Sequence, residues 1–162
     1  MEKMKLKGII DEDFVNYKKP SMFLAFPRCS FKCDKECGRQ VCQNSVLANE
    51  KNIEITLDKI IDRYMTNPIT KALVCGGLEP FDSWDDLQCL ILNFRYYTND
   101  DIIIYTGYYK EEIDKEKIDW LKLYSPIIIK YGRFVPNNEE YFNNDLGVKL
   151  ASKNQYTEKY LI

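Results

Sequence analysis

Four cysteines stand close together near the beginning of the chain, in the segment Cys29-Ser-Phe-Lys-Cys33-Asp-Lys-Glu-Cys37-Gly-Arg-Gln-Val-Cys42. Thiolates at this density favour a soft metal centre, either zinc or an iron–sulfur cluster. The chain has no histidine, which removes histidine zinc sites and the nucleophilic triads that need an imidazole. Zinc sites usually pair cysteines in C-x2-C units. The wider gaps here favour a cluster, with a closed zinc site of all four cysteines as the alternative.

Length and composition predict a single folded domain over residues 1–162. Apolar residues make up 45% of the chain, enough for one core, and the formal net charge is −2. Because there is no basic excess, we expect no nucleic-acid partner. The N-terminus lacks a signal-peptide pattern, and no stretch approaches the roughly 20 apolar residues that cross a bilayer. We therefore expect a cytoplasmic protein without membrane contact, whose cysteines are thiols or metal ligands.

Short apolar runs alternate with helical patterns along the chain. The predicted buried strands are Met22–Phe26, Ala72–Cys75, Ile102–Tyr105 and Pro126–Ile129. The predicted helices are Thr56–Tyr64, Ser83–Phe94 and Lys110–Leu121. Ser83 and Asp86 are expected to form a capping box, the Asn-rich segment 136–145 a loop, and Cys75 and Cys89 small core residues. This alternation predicts an α/β fold with an open parallel sheet.

Each predicted strand is followed by residues unusual for an ordinary turn. In chain order these are Cys29, Gly76-Gly77-Leu78-Glu79-Pro80, Thr106-Gly107 and Lys130-Tyr131-Gly132. In parallel sheets the ligand site lies at the carboxyl ends of the strands. The four loops are therefore predicted to converge on one active site.

The cysteine segment resembles the signature of the radical S-adenosylmethionine (SAM) superfamily, C-x3-C-x2-C in the loop after the first strand. Cys29-Ser-Phe-Lys-Cys33 matches its first half, and Cys42-Gln43-Asn44 resembles an ending common in activating enzymes. Eight residues separate Cys33 from Cys42, where the family usually has two. Either Cys42 is the third ligand and residues 34–41 are an insertion, which is the favoured assignment, or Cys37 is the third ligand with one extra residue in the gap.

Further segments resemble the activating enzymes of anaerobic (class III) ribonucleotide reductases. Gly76–Pro80 is similar to the GGEP motif; either Leu78 is an additional residue in this loop, or Gly77-Leu78-Glu79-Pro80 is a G-x-E-P variant of the motif. Tyr105-Thr106-Gly107-Tyr108 is similar to a YTGY segment. Lys130–Phe134 resembles a DG[KR]F segment in which Tyr131 replaces the aspartate, and Gly147–Gln155 resembles a C-terminal GS-x-NQ segment. The resemblance covers roughly residues 22–156.

This resemblance implies a partial (β/α) barrel of the radical SAM type, smaller than a full eight-stranded barrel. It also implies a [4Fe-4S] cluster with three cysteine ligands, which leaves one iron open to the amine and carboxylate of SAM. The residues implied as cluster ligands are Cys29, Cys33 and Cys42. Those implied to line the methionine end of SAM are Gly76, Gly77 and Glu79, and those expected near its ribose or carboxylate are Thr106 and Lys130.

The implied activity is reductive cleavage of SAM to a 5′-deoxyadenosyl radical, which generates a glycyl radical on anaerobic ribonucleoside-triphosphate reductase. The protein binds and orients the cofactors and excludes water from them, while the cofactors carry the radical chemistry. A low-potential electron donor such as flavodoxin or ferredoxin is implied as a second partner. The alternatives are an activase of another glycyl radical enzyme, a radical SAM enzyme acting on a small molecule, and a non-enzymatic zinc-binding module.

Overall fold

The computed structural model describes residues 3–30, 35–36, 38 and 45–161. Cys29 lies within these residues, whereas the predicted ligands Cys33 and Cys42, and the competing Cys37, lie outside them. None of the helices in the described part of the chain has the length and apolar character needed to span a bilayer.

Strands and helices alternate over most of the described chain. The strands are β1 (Lys3–Leu6), β2 (Gly8–Asp13), β3 (Ser21–Phe26), β4 (Ile53–Thr56), β5 (Ala72–Gly77), β6 (Asp101–Tyr105), β7 (Ile127–Tyr131), β8 (Tyr141–Asn143), β9 (Val148–Leu150) and β10 (Tyr156–Tyr160). The helices are α1 (Ser45–Ala48), α2 (Leu57–Thr66), α3 (Trp84–Tyr97) and α4 (Lys115–Lys122), with 3₁₀ turns at Pro80–Ser83 and Lys110–Glu112.

Six of these strands form the main sheet, in the order β10-β7-β6-β5-β3-β2. The four central strands β3, β5, β6 and β7 are parallel and correspond to the four apolar runs of the sequence, which confirms those strands. Both edge strands, β2 and β10, are antiparallel to their neighbours. The sheet is therefore mixed rather than purely parallel, and its expected closure into a partial barrel stays a prediction.

The two faces of the main sheet are covered differently. Helices α2, α3 and α4 share one large apolar cluster with strand residues such as Leu24, Cys75 and Ile104, so they pack on one face. The opposite face has a smaller cluster, in which Val74, Ile103 and other strand residues contact Leu150 of the β8–β9 hairpin. Successive residues of a strand point to opposite faces of the sheet. Near the strand ends, residues that point to this second face can therefore be polar without disturbing the helix-covered core.

The helix predictions hold for α2 and α3 and need correction at two points. Thr56 caps α2 by accepting a hydrogen bond from the Lys59 backbone N–H. Ser83 is the N-cap of α3, but its side chain makes no capping hydrogen bond, so the predicted capping box was wrong in that half. The predicted helix Lys110–Leu121 is interrupted: its first three residues form a 3₁₀ turn, and α4 begins only at Lys115. The cause is the extended backbone at Ile113, whose side chain enters the core.

The segment 136–145, expected to be a loop, contains strand β8. This strand is three residues long and pairs with β9 in an antiparallel hairpin. The turn is closed by Asn143, whose side-chain oxygen accepts a hydrogen bond from the Leu146 N–H, and by Gly147 with φ +72°. A strand this short with a half-polar sequence gives no apolar run, which is why the sequence pattern does not indicate it.

Gly77 allows the end of β5 to approach β3 closely. Its φ of +78° lies in the left-handed region, and a Cβ added there would stand 2.6 Å from the Ala25 Cα and 2.9 Å from the Phe26 nitrogen. Only glycine combines this backbone conformation with such an approach at no steric cost. The packing of neighbouring strands is thus sufficient to explain this glycine.

Gly77→Ala is expected to lower the free energy of unfolding by about 2–5 kcal/mol, because it combines left-handed strain with overpacking against backbone. Urea unfolding of the metal-free protein under reducing conditions measures this. The matched control is Gly8→Ala, where nothing lies within 4 Å of the added Cβ, and we expect a change within about 0.5 kcal/mol. Equal stability of the two variants would contradict the packing role of Gly77.

Candidate functional site

A cavity of about 420 Å³ lies at the carboxyl ends of the central strands. This volume is within the range of small-molecule sites, roughly 300–1,000 Å³. It brings together every predicted site residue that the structure describes. These residues are Cys29, Gly76, Gly77, Glu79, Thr106 and Lys130.

The sheet register explains why these residues meet. Tyr105 and Lys130 are direct neighbours across β6 and β7, and Gly76 lies beside Ala25 across β5 and β3. Gly76 allows the Phe23 ring to cross this face, since an added Cβ would stand 3.0 Å from it. Phe23 and Tyr105 therefore form an aromatic floor of the cavity, with polar groups above them at the strand ends.

Glu79 joins the loops that follow β5 and β6. Its carboxylate accepts hydrogen bonds from the Phe81 N–H at 3.0 Å, the Thr106 hydroxyl at 2.8 Å and the Gly107 N–H at 2.8 Å. The residue is 4% exposed. Burial raises the pKa of Glu79 to about 7, against the opposing effect of these hydrogen bonds. The carboxyl group thus holds two loops together and is poised to gain or lose a proton near neutral pH.

Lys130 places a buried positive charge beside the same loops. Its ammonium donates to the Thr106 carbonyl at 3.0 Å and the Gly132 carbonyl at 2.9 Å, and lies 5.7 Å from the centroid of the Tyr105 ring. Burial lowers the pKa of Lys130 to about 8, while the nearby Glu79 raises it. An ammonium has three N–H donors, and within the described residues two of them are used on carbonyls. One donor can therefore serve an anionic ligand.

Arg133 also lines the cavity, although it is not among the predicted site residues. Its guanidinium makes a bidentate pair with Glu112 at 2.7 and 3.0 Å, donates to Glu36 at 2.8 Å and to the Gly107 carbonyl at 2.9 Å, and stacks on Tyr109. Burial lowers the pKa of Arg133, but its bonds to Glu112 and Glu36 outweigh burial and leave it above its usual value. The arginine of the DG[KR]F-like segment is the sequence signal that could have identified it.

Leu78 lengthens the contact between the loops after β3 and β5. Its N–H donates to the Phe26 carbonyl at 3.2 Å, and the following Glu79 N–H donates to the Arg28 carbonyl at 2.6 Å. The additional residue in the GGEP-like segment therefore continues the backbone pairing as far as the residue before Cys29. This pairing fixes the place at which the cysteine segment leaves the sheet.

Cys29 lies at the cavity with its side chain half-buried. The next residue, Ser30, donates its backbone N–H to Asp82 at 3.1 Å, so the chain is held on both sides of the cysteine. A soft sulfur donor that lines a cavity, on an anchored backbone, fits a metal or cluster ligand. Within the described residues, no three Cys, Asp or Glu side chains gather as a metal site.

The two cysteines expected to be structural, Cys75 and Cys89, lie on the helix-covered side, and so does Tyr131. Cys75 is fully buried, as predicted, and Cys89 is partly buried against the same core. Tyr131 is also fully buried, stacked on Tyr156 and within 3.2 Å of the Tyr160 hydroxyl. Position 131 therefore contributes no polar group to the cavity.

Comparison with known protein families gives one match. The family described as a 4Fe-4S single cluster domain matches residues 20–157, which is most of the chain. The chain belongs to this family, and the expectation that it holds an iron–sulfur cluster is thereby supported. A search of curated proteins found no match.

The raised pKa of Glu79 predicts a specific pH dependence of stability. The folded chain binds this proton up to about pH 7, whereas the unfolded chain releases it near its ordinary value of 4.5. Over that window the folded state holds more protons, so the free energy of unfolding should fall as pH rises, by up to about 1.4 kcal/mol per pH unit. Urea unfolding of the metal-free protein between pH 5 and 7 measures this slope. The chain has no histidine, whose titration would otherwise contribute to the slope in this pH range.

Glu79→Gln should flatten that slope, because it removes the titrating group. The control is Glu139→Gln, at an exposed glutamate that pairs with Lys153, which should keep the wild-type slope. A slope that persists unchanged in Glu79→Gln would show that another group is responsible.

Proposed function

We propose that this protein cleaves SAM reductively with a [4Fe-4S] cluster held by Cys29, Cys33 and Cys42, and that it generates a glycyl radical on a partner protein. The observation that carries this proposal is the cavity beside Cys29, which gathers the strand-end residues expected to bind SAM. Membership of the 4Fe-4S single cluster family supports binding of the cluster. It also favours an iron–sulfur protein over a four-cysteine zinc module.

The cluster, when bound, supplies the electron that breaks the C5′–S bond of SAM and yields a 5′-deoxyadenosyl radical. The described residues would bind and orient the substrate. Lys130 offers its remaining N–H to the carboxylate of SAM, a charge-assisted hydrogen bond that is strong in a buried site. Gly76 has no side chain to fill the strand side of the cavity, so the ligand can lie against the backbone and the ring of Phe23.

Glu79 and Arg133 would position the walls of the site rather than contact the reacting atoms. The oxygens of Glu79 already accept hydrogen bonds from Phe81, Thr106 and Gly107. Arg133 is occupied by Glu112, Glu36 and the Gly107 carbonyl. Both residues contact the Thr106-Gly107 turn, which lines the cavity. A turn held from two sides favours a fixed ligand geometry.

For the partner, we favour anaerobic ribonucleoside-triphosphate reductase, on the resemblance of the Tyr105–Tyr108 and Gly147–Gln155 segments. Flavodoxin or ferredoxin would supply the low-potential electron. Another glycyl radical enzyme, or a small molecule, is the alternative target of the same chemistry, and a glycyl radical signal on co-purified reductase distinguishes these targets.

Anaerobic reconstitution with iron and sulfide should yield a brown protein that releases 5′-deoxyadenosine when reduced in the presence of SAM. Cys29→Ala, Cys33→Ala and Cys42→Ala should each lose cluster iron and product, because each removes one of three thiolate ligands. Cys37→Ala and the control Cys89→Ala should retain both. Loss in Cys37→Ala with retention in Cys42→Ala would reassign the third ligand, and one zinc per chain without a chromophore would contradict the proposal.

Lys130→Met should weaken SAM binding by roughly tenfold, because it removes a charge-assisted hydrogen bond while filling a similar volume. Calorimetric titration of the cluster-loaded protein with SAM measures the change. The matched control is Lys149→Met, which also lines the cavity but has a side chain 68% exposed, and it should bind within about twofold of wild type. Equal affinities for the two variants would exclude Lys130 from the carboxylate site.

A further inference from the structure

Arg133 connects the cysteine segment to the far side of the cavity. Its Nε donates to the carboxylate of Glu36 at 2.8 Å. Glu36 lies between Cys33 and Cys37, in the stretch that widens the gap between the favoured ligands. The same guanidinium is held by Glu112, from the loop after β6, and by the ring of Tyr109, whose centroid is 4.6 Å away. One side chain thus joins three separate parts of the chain.

The sheet order shows how far apart these parts are. Cys29 follows β3, whereas Arg133 follows β7 and its partners Glu112 and Tyr109 follow β6, and β5 lies between the two sides. With strands about 4.8 Å apart, the two sides of the cavity are separated by roughly 10 Å or more. Cys29 and Glu36 are seven residues apart in sequence. They are therefore anchored on opposite sides of the cavity, Cys29 through its neighbours' backbone and Glu36 through its carboxylate.

Of the two carboxylates that pair with Arg133, Glu36 is the one that can be changed with the smaller effect on the fold. The Arg133 side chain is 8% exposed and already fixed by Glu112, so pairing with Glu36 costs little additional ordering of the guanidinium. The Glu36 side chain is 54% exposed, which limits the strength of its bond. Removing the Glu36 charge leaves Arg133 paired with Glu112, and the core is not disturbed.

We propose that Arg133 is a positioning residue for the cysteine segment. Its ion pair with Glu36 ties that residue to the loops after β6 and β7, and this tether favours retention of the cluster by the cysteines that flank Glu36 in sequence. The widened gap then has a function, because it supplies the side chain that reaches Arg133. This inference rests on the ligand set of the proposed function.

The test is the rate at which a chelator removes iron from the cluster-loaded protein in the absence of SAM. Glu36→Gln should release iron roughly three- to tenfold faster than wild type, in keeping with the loss of one partly exposed ion pair. Arg133→Lys, which cannot hold both carboxylates in a fork, should accelerate release similarly. The double variant should be no faster than the faster single variant, because both changes break the same contact. The control Glu139→Gln should match wild type.

A second readout separates positioning from general stability. In the metal-free protein, Glu36→Gln should leave the thermal midpoint unchanged but increase amide hydrogen exchange in the peptide covering residues 31–44. Wild-type iron release in Glu36→Gln, or additive effects of the two substitutions, would overturn the inference. Iron release needs no SAM, so a wild-type protein that holds its cluster but does not cleave SAM would overturn the proposed function alone. A wild-type protein that cannot be loaded would overturn both.

Discussion

The cavity depends on one buried hydrogen-bond chain that crosses the carboxyl ends of three parallel strands. Glu79 after β5 binds the hydroxyl of Thr106 after β6, and the Thr106 carbonyl binds Lys130 at the end of β7. Burying a carboxyl group and an ammonium group is unfavourable unless each is hydrogen-bonded. Here each has several partners at 2.8–3.0 Å. The loops are consequently fixed relative to one another, and the ligand site has a preformed wall.

The central part of the fold could be predicted from the sequence, and the periphery could not. β3, β5, β6 and β7 are buried on both faces and therefore appear as apolar runs with strand-end residues directly after them. The edge strand β10, by contrast, reads Tyr-Thr-Glu-Lys-Tyr and is mostly half-exposed. It owes its conformation to pairing with β7 rather than to its own pattern. The antiparallel edges were missed for that reason.

The same division applies to the site. Because the carboxyl ends of parallel strands lie at one edge of the sheet, the sequence was sufficient to predict that Thr106 and Lys130 lie close together. It was not sufficient to predict what each site residue contacts. Gly77 has a left-handed backbone and lies so close to Ala25 that an added Cβ would clash with it, and the sequence alone indicates neither feature. Arg133 bonds to Glu36, 97 residues away in sequence, and no local spacing reports such a pair.

The charges of the cavity bear on what it can hold. Lys130 and Arg133 are both largely buried. Arg133 is paired with the carboxylate of Glu112, whereas Lys130 is held by two backbone carbonyls, with Glu79 nearby. Tyr131, at the position where the resembling segment has an aspartate, faces the opposite core and adds no charge here. Within the described residues, Lys130 keeps one ammonium donor, which is too few for a polyphosphate, since such a ligand needs several cationic or N–H partners. The cavity is better suited to a ligand with a single carboxylate, such as the SAM of the proposed function.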